Sequence, residues 1–332
     1  MSEKVNLTVI CPVYNEGKYI SQCLDSLLSQ DYPKNEMEFL FVDGMSTDNT
    51  REIIAEYQKD YPFIKLIENP FRTAPFAMNK GIQNAMGNII MRIDAHATYD
   101  MKYVSTLVSL LSELKADNIG CEMYTDVLYK TSESLAIREV LTNKWGVGNS
   151  AFRIGIQSIQ LVDTVPFGCF PKQTFAKYGL YDTRLDRNQD IELNKRIVRG
   201  GGKIYIVPKP YITYYARNNY ADLAANNFEN GKWNLWTLFY TRNFDSLSIR
   251  HFVPFIFVLS LLASFLLGFV YSFFFALFAF ILLSYFSFFG YLSYKMSKEK
   301  DLEFKCVLMA FATLHFSYGI GSLMGFLLWP FK

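Results

Sequence analysis

The chain has 332 residues, of which 51% are hydrophobic and 19% charged, and its formal net charge is +2. This length fits one large domain or two smaller ones and is enough to bury a sizeable core. The small net charge, without a dense basic patch, argues against nucleic acid as a partner.

Strands and helices alternate through the first hundred residues. An apolar run ends at Pro12 and predicts a buried strand, and apolar residues between 17 and 30 then recur at helical spacing. The same order is repeated in "EFLFVDGMSTDNT", in "FIKLIEN" followed by "PFAMNKGIQNAMG", and in "NIIMRI". This alternation predicts βαβ units, and therefore an α/β fold with a mostly parallel sheet covered on both faces.

Polar residues follow three of these strands, at Asn15, Asp43 and Asp94. Ligands of such sheets lie beyond the carboxyl ends of the strands, so we expect these three residues to share one crevice. Neither GxGxxG nor GxxxxGK[ST] occurs near these turns, which argues against a dinucleotide enzyme or a P-loop NTPase.

Asp94 and His96 stand two residues apart, so in an extended segment both side chains face the same way. A carboxylate oxygen and an imidazole nitrogen suit Mn²⁺ or Mg²⁺, with positions left open for phosphate oxygens. Taken alone, an Asp-x-His is more often a surface loop with an ordinary hydrogen bond. The metal interpretation therefore needs a second motif.

Residues 167–209 supply that motif. They predict a glycine-containing loop, a short helix, and a second helix from about Asp190 to the glycines at 200–202. The helix dipole and the free N–H groups of a helix start favour an ionised carboxylate, which can act as a general base if it faces a pocket. A helix cap is the alternative interpretation of Asp190.

Two stretches without Asp, Glu, Lys or Arg lie near the end of the chain, at 251–294 and 306–330. About 20 apolar residues cross a bilayer, so the first stretch predicts two spans and the second a third. A buried helical hairpin is the alternative. Lysines 295, 298, 300 and 305 precede the third span, and the positive-inside rule places them in the cytoplasm with the soluble part.

The amino-terminal residues show no signal peptide, and the five cysteines form no CxxC pair, which is typical of reduced cytosolic thiols. Before the spans, residues 222–247 combine aromatic side chains with Lys232 and Arg242, which suits a helix in the membrane interface; a packed core helix is the alternative. In the third span, Gly321 and Gly325 permit close helix contact, and a homo-oligomer formed through the spans is a hypothesis.

Five segments in this order resemble one family: "ICPVYNE", "FVDGMSTDNT", "MNKGI", "RIDAHA" and "FGCFPKQTFAKYGLYDTRLDRNQDIELNKRI". They look like the GT-A-fold inverting glycosyltransferases that use nucleotide-diphospho-sugars. The subgroup they resemble is the membrane-attached enzymes of exopolysaccharide assembly, of the succinoglycan glucosyltransferase type. The resemblance implies a Rossmann-like GT-A domain over 1–220, an amphipathic interface region over 221–250 and three transmembrane helices within 251–332.

Carried over by motif, the resemblance implies a role for each matching residue. Asp190 would be the base, Asp94 and His96 would hold Mn²⁺ or Mg²⁺, and Asp43 would bind the uracil edge. Contacts to the UDP-sugar would come from Pro12, Tyr14, Asn15, Glu16, Asp43, Arg72, Asn79 and Asp94, with Lys80 as an alternative to Arg72. Packing of the loop and the helix start is the alternative for Tyr14 and Glu16.

The implied activity is inverting transfer of glucose or a similar sugar from a UDP-sugar to a polyprenyl-diphosphate-linked saccharide at the cytoplasmic face of the plasma membrane. The chain departs from the family pattern at Gln189, where a glutamate is usual, and at Met78, where an arginine is usual. It also has "ENGKWNLW" where processive members carry Gln-x-x-Arg-Trp, which argues against polymerisation. A processive synthase and a non-catalytic sugar-nucleotide sensor in the membrane are the alternatives.

Overall fold

The computed structural model describes residues 5–148 and 150–329. The chain forms two compact units. The first runs to Tyr124 and resumes from Gly155 to Tyr214; the second holds Thr125–Ile154 and the chain from Tyr215 onward. The boundaries predicted at 220 and 250 differ from this division, because a sequence pattern does not show that residues 125–154 belong with the distant C-terminal helices.

The first unit is built on a mixed sheet and its flanking helices. Its elements, in chain order, are β1 (Leu7–Val13), α1 (Ile20–Leu28), β2 (Met37–Asp43), α2 (Thr50–Asp60), β3 (Ile64–Glu68), α3 (Ala74–Asn84), β4 (Ile89–Arg92), β5 (Ala97–Tyr99), α4 (Tyr103–Glu113) and β6 (Asn118–Asp126). After α5 (Ser132–Leu141), α6 (Lys144–Val147) and α7 (Ala151–Ile154) of the second unit, it continues with β7 (Gln160–Leu161), β8 (Cys169–Pro171), α8 (Lys172–Tyr178), α9 (Gln189–Arg199) and β9 (Ile204–Tyr215).

The strand order is β3-β2-β1-β4-β8-β6-β9-β5, with β7 paired to β9. Strands β3, β2, β1 and β4 are parallel, whereas β8 pairs antiparallel with β4, and β5 with β9. The α/β class with parallel strands is confirmed. The antiparallel half arises from residues beyond 96, where the sequence carries no repeated strand and helix pattern.

The second unit consists of helices. Besides α5, α6 and α7 it contains α10 (Tyr220–Thr241), α11 (Val253–Gly268), α12 (Phe273–Lys300) and α13 (Phe304–Leu328). Among the described residues, three segments are long and apolar enough to cross a membrane: Ile249–Gly268, Phe273–Lys300 and Phe304–Leu328. The predicted number and order of apolar helices are therefore confirmed.

A small apolar core explains why residues 125–154 belong to this unit. On α5, Ala136, Ile137 and Val140 are buried, and they pack in one cluster with residues of α10, α12 and α13, among them Phe311. Glu139 of the same helix forms an ion pair with Lys300 at the end of α12.

Helix α10 packs along α13 in the same direction. The Tyr220 hydroxyl donates to the Cys306 carbonyl at 3.0 Å near one end, and the Trp236 indole N–H donates to the Gly325 carbonyl at 3.0 Å near the other. Residues 233–238 are buried without interruption. A helix lying in a membrane surface would bury one face only, so these contacts favour the packed helix over the interface helix.

Two glycines of α13 make this close contact possible. A Cβ on Gly321 would overlap the Phe228 carbonyl oxygen, and one on Gly325 would press on the backbone of Lys232. The close approach that the spacing permits is therefore made within the chain, between α13 and α10. It gives no support to a second copy at this face.

We expect Gly321→Ala to destabilise the second unit, because the added methyl group would force α10 away from α13. Overpacking of this kind costs about 1–3 kcal/mol. The thermal midpoint in detergent should fall by several degrees. Gly290→Ala on α12 is the matched control, since a Cβ there meets nothing within 4 Å. Equal midpoints for the two variants would contradict the packing.

Candidate active site

The carboxyl ends of three parallel strands meet at one edge of the sheet. In register, Val13 of β1 lies beside Asp43 of β2, and Ile10 of β1 lies beside Arg92 of β4. The segments that follow these strands therefore lie along one edge of the sheet, where ligands of such sheets bind.

Arg92 brings together two of the predicted site residues. Its Nη2 lies 3.5 Å from Asp94 Oδ1, and its Nη1 forms an ion pair with Asp190 Oδ1. Asp190 is the second residue of α9, and Asn188 occupies the N-cap position, so Asp190 does not cap the helix. The carboxylates of Asp94 and Asp190 thus share one guanidinium, although 96 residues of chain separate them.

The backbone of Asp94 is fixed by the tyrosine that ends β5. The Tyr99 hydroxyl accepts from the Asp94 N–H at 2.8 Å and donates to the Asp94 carbonyl at 3.0 Å. The Cys23 thiol lies 3.6 Å from the same carbonyl oxygen. Asp94 is therefore held by its main chain, while its side chain remains 21% exposed.

His96 is paired with Glu16, from the loop after β1. Its Nδ1 lies 3.2 Å from Glu16 Oε1, and its ring meets the Tyr214 ring edge-on at 5.1 Å. Burial alone would lower the pKa of His96, but Tyr214, the hydrogen bond to Glu16 and the charge of Asp94 outweigh burial and raise the pKa to about 10. These groups favour the charged imidazole, so a cation would bind the other ring nitrogen only by displacing its proton.

The chemistry of these residues fits a divalent cation held by Asp94 and His96. Glu16 occupies one ring nitrogen of His96, the arrangement by which carboxylates orient metal-bound histidines. Within residues 5–148 and 150–329, no group of three His, Cys, Asp or Glu side chains is placed to hold a metal. Two protein ligands would leave the other positions to phosphate oxygens, as Mn²⁺ and Mg²⁺ accept.

Asp43 and Asn15 shape the loop beside the crevice. Asp43 is fully buried, and its Oδ1 accepts the Ser46 hydroxyl at 2.5 Å, while Arg51 lies 3.6 Å from its Oδ2. Asn15 has a positive φ of 56°, and its Oδ1 accepts from Thr47 N at 2.8 Å. In this arrangement Asp43 holds the loop, and its predicted contact with the uracil stays a prediction.

Asn79 also has a structural partner. Its Nδ2 donates to the Tyr181 carbonyl at 2.9 Å, and its Oδ1 accepts from the Tyr181 N–H at 2.9 Å. Both ends of the amide are thus used to tie α3 to the segment before α9. These bonds give Asn79 a supporting part beside the site, and its predicted nucleotide contact stays a prediction.

The remaining predicted contacts lie at or near the surface. Tyr14 is 45% exposed, Arg72 is exposed with a positive φ of 64°, and Pro12 is half-buried. Tyr14 and Arg72 follow β1 and β3, which lie on either side of β2. Their exposure leaves them accessible to a ligand in the crevice.

Sequence reasoning gave no role to Arg92, Tyr99 or Tyr181. Arg92 had a detectable signal, since it is a charged residue inside the apolar run "NIIMRI". Such a residue is buried only when it is paired. Tyr99 and Tyr181 carried no comparable signal, because their partners are main-chain groups or come from distant segments.

Replacement of Asn79 distinguishes support from nucleotide binding. Asn79→Ala leaves two main-chain groups of Tyr181 without their partner, and we expect a loss of about 1–3 kcal/mol in the free energy of unfolding. UDP affinity of the folded protein should remain within a few-fold. The control is Asn84→Ala, which loses only a local bond to the Lys80 carbonyl. Unchanged stability with clearly weaker UDP binding would restore the nucleotide contact.

Comparisons of sequence place the chain among sugar-transferring enzymes. Residues 8–171 match Glycosyl transferase family 2. The chain is 31% identical over 218 residues, 64% of this chain and 68% of the relative, to the dolichyl N-acetyl-alpha-D-glucosaminyl phosphate 3-beta-D-2,3-diacetamido-2,3-dideoxy-beta-D-glucuronosyltransferase of Methanococcus voltae. It is 27% identical over 226 residues, 68% of this chain and 67% of the relative, to the succinoglycan biosynthesis protein ExoA of Rhizobium meliloti.

Solved structures show the same fold. The mannosyltransferase PcManGT from Pyrobaculum calidifontis, in complex with GDP-Man and Mn²⁺, aligns with a TM-score of 0.61 over 96% of this chain and 87% of that chain, at 17% identity. This confirms the predicted GT-A-like sheet followed by helices. The sequence matches over the same domain show that the chain is a glycosyltransferase of family 2, which transfers a sugar from a nucleotide-sugar.

Proposed function

We propose that this chain transfers a sugar, glucose or a similar hexose, from a UDP-sugar to a polyprenyl-diphosphate-linked saccharide at the cytoplasmic face of the plasma membrane. The observation that carries the proposal is the convergence of Asp94 and Asp190 on Arg92, at the crevice of a family 2 fold. The reaction would serve exopolysaccharide or surface-glycan assembly, as in the succinoglycan relative.

In the proposed reaction Asp190 accepts the proton of an acceptor hydroxyl. The freed oxygen forms a bond to the anomeric carbon, the bond between that carbon and the diphosphate oxygen breaks, and UDP leaves with both electrons. A single displacement inverts the anomeric configuration, so an α-linked donor gives a β-linked product. Most of the rate comes from alignment of the reacting groups and from charge stabilisation.

The donor would lie across the carboxyl ends of β1, β2 and β4. Five residues border that edge and would contact the nucleotide: Pro12, Tyr14, Asn15, Glu16 and Arg72. Asp94 and His96 would hold Mn²⁺ or Mg²⁺, which when bound neutralises the diphosphate charge. Glu16 orients the imidazole in this arrangement.

The membrane location rests on the three apolar segments and on the lysines between the second and third. Lys295, Lys298 and Lys300 lie on the last turns of α12, and Lys305 lies at the start of α13. The positive-inside rule places this connection in the cytoplasm. A lipid-linked acceptor accords with a membrane-anchored enzyme and with the dolichyl-linked phosphate in the name of the Methanococcus voltae relative.

The test is a screen of donors with the full-length protein in membranes or detergent. UDP-glucose, other UDP-hexoses and GDP-mannose are each supplied with Mn²⁺ or Mg²⁺ and with polyprenyl mono- and diphosphate saccharides. We expect acceptor-dependent release of UDP and one added sugar. Turnover with GDP-mannose alone would contradict the UDP donor, long polymer would indicate a processive synthase, and UDP binding without turnover would indicate a sensor.

A further inference from the structure

Arg92 is a buried cation at the centre of the site. It is the last residue of β4, and its side chain is only 6% exposed. Its main-chain N–H donates to the Gly168 carbonyl at 2.9 Å, which fixes the strand end from which the side chain projects. A buried charge costs several kcal/mol unless it is closely paired, so the partners of Arg92 identify what it holds.

Those partners are two carboxylates and a phenol. Asp94 and Asp190 each contact one terminal nitrogen of the guanidinium. Tyr181 is the third neighbour: burial raises the pKa of Tyr181, and the positive charge of Arg92 acts against that rise. Asn79 in turn clamps the main chain of Tyr181. Arg92 therefore joins β4 to the segment that leads into α9.

The structure assigns to Arg92 the part of a positioning residue: we propose that it holds the Asp190 carboxylate beside Asp94 and toward the donor. This role rests on the proposed function, in which Asp190 takes the acceptor proton. The guanidinium lies between the two carboxylates and offsets the repulsion between them. Asp190 stands between Gln189 and Ile191 in the chain, so neither sequence neighbour supplies a second carboxylate.

A guanidinium suits this task better than an ammonium group. Its nitrogens lie in a rigid planar fork and can hold two carboxylates in fixed directions, whereas lysine offers a single flexible point charge. Arg92→Lys should therefore keep the local charge yet position Asp190 poorly. We expect it to retain more activity than Arg92→Met but less than the unmodified chain.

A double-mutant cycle tests the role, with radiolabelled UDP-sugar and acceptor-dependent transfer as the readout. Arg92→Met should lower kcat about 100-fold, since small misplacement of a catalytic group has effects of that size. In an Asp190→Asn background the same change should lower kcat less than about 3-fold, because groups that act together are not additive. Lys195→Met is the control: it removes a cation of α9 that pairs with Asp163 at 2.7 Å.

If Arg92→Met lowers kcat by the same factor in the unmodified chain and in Asp190→Asn, the proposal is overturned, because Arg92 would then act independently of Asp190. If Arg92→Met fails to fold, as judged by its thermal midpoint, the cycle is run with Arg92→Lys and the same criterion applies. Absence of transfer by the unmodified chain would instead overturn the proposed function, and with it this role for Arg92.

Discussion

Asp190→Asn should leave only a small residual rate of sugar transfer while UDP binding persists. Asparagine keeps the size of the side chain but cannot accept a proton, and loss of a general base lowers rates by about 100- to 10,000-fold. The measurement is acceptor-dependent UDP release together with UDP affinity by calorimetry. Equal loss of transfer and of UDP binding would reassign Asp190 to a structural role.

The substitution also removes the ion pair with Arg92, so folding must be checked separately. We expect the thermal midpoint to fall and UDP to restore part of it. Asp163→Asn is the matched control, because Asp163 is a carboxylate paired with Lys195 of the same helix. Its kcat should stay within about 3-fold of the unmodified value, as for most substitutions outside special sites.

Asp94→Asn should abolish binding of the cation and weaken that of the donor. Loss of groups that only support a metal ligand already costs about 10- to 100-fold in affinity, so loss of a ligand should cost at least as much. The readout is Mn²⁺ binding by electron paramagnetic resonance in the presence of UDP, which does not depend on turnover. We expect affinity to fall by at least about 10-fold, and transfer with it.

Asp100→Asn is the control for Asp94→Asn. The Asp100 carboxylate accepts from Lys102 N at 2.9 Å at the start of α4, and an asparagine oxygen can keep that bond. Its Mn²⁺ affinity should match that of the unmodified chain. Undiminished Mn²⁺ binding by Asp94→Asn would show that Asp94 is not a ligand, and would move the cation to other residues or exclude it.

Local sequence patterns predicted the parallel strands, the apolar C-terminal helices and the start of α9. The parallel strands β1 to β4 are short apolar runs followed by polar loops, and buried parallel strands have that composition. The three long apolar C-terminal helices were predicted from the absence of charge in two long segments. The helix start near 190 was also correct, since α9 begins at Gln189 and ends before Gly200.

What the sequence could not show depends on contacts between distant residues. The pairing of Arg92 with Asp190 joins two segments 98 residues apart, and no spacing rule connects them. The two bonds from Asn79 to Tyr181 are equally remote. The family motif contains Asn79. A motif does not show whether a residue contacts the ligand itself or supports another residue that contacts it.

The aromatic segment before the spans shows a different limit. Tryptophan and tyrosine suit both a membrane interface and a packed helix, because their rings are apolar and their polar atoms need one partner. Which of these two environments the segment occupies depends on the groups that pack against its rings. Gly231 and Gly321 let α10 and α13 approach closely, and the Trp236 N–H finds the Gly325 carbonyl.

The central claim is that Asp94 and Asp190 face one donor site, and an experimental structure with UDP and Mn²⁺ tests it most directly. We expect the cation between the diphosphate and the side chains of Asp94 and His96, with Asp190 on Arg92 and open to an incoming hydroxyl. UDP bound away from the carboxyl ends of β1 and β4, or Asp190 turned from the diphosphate, would contradict the claim.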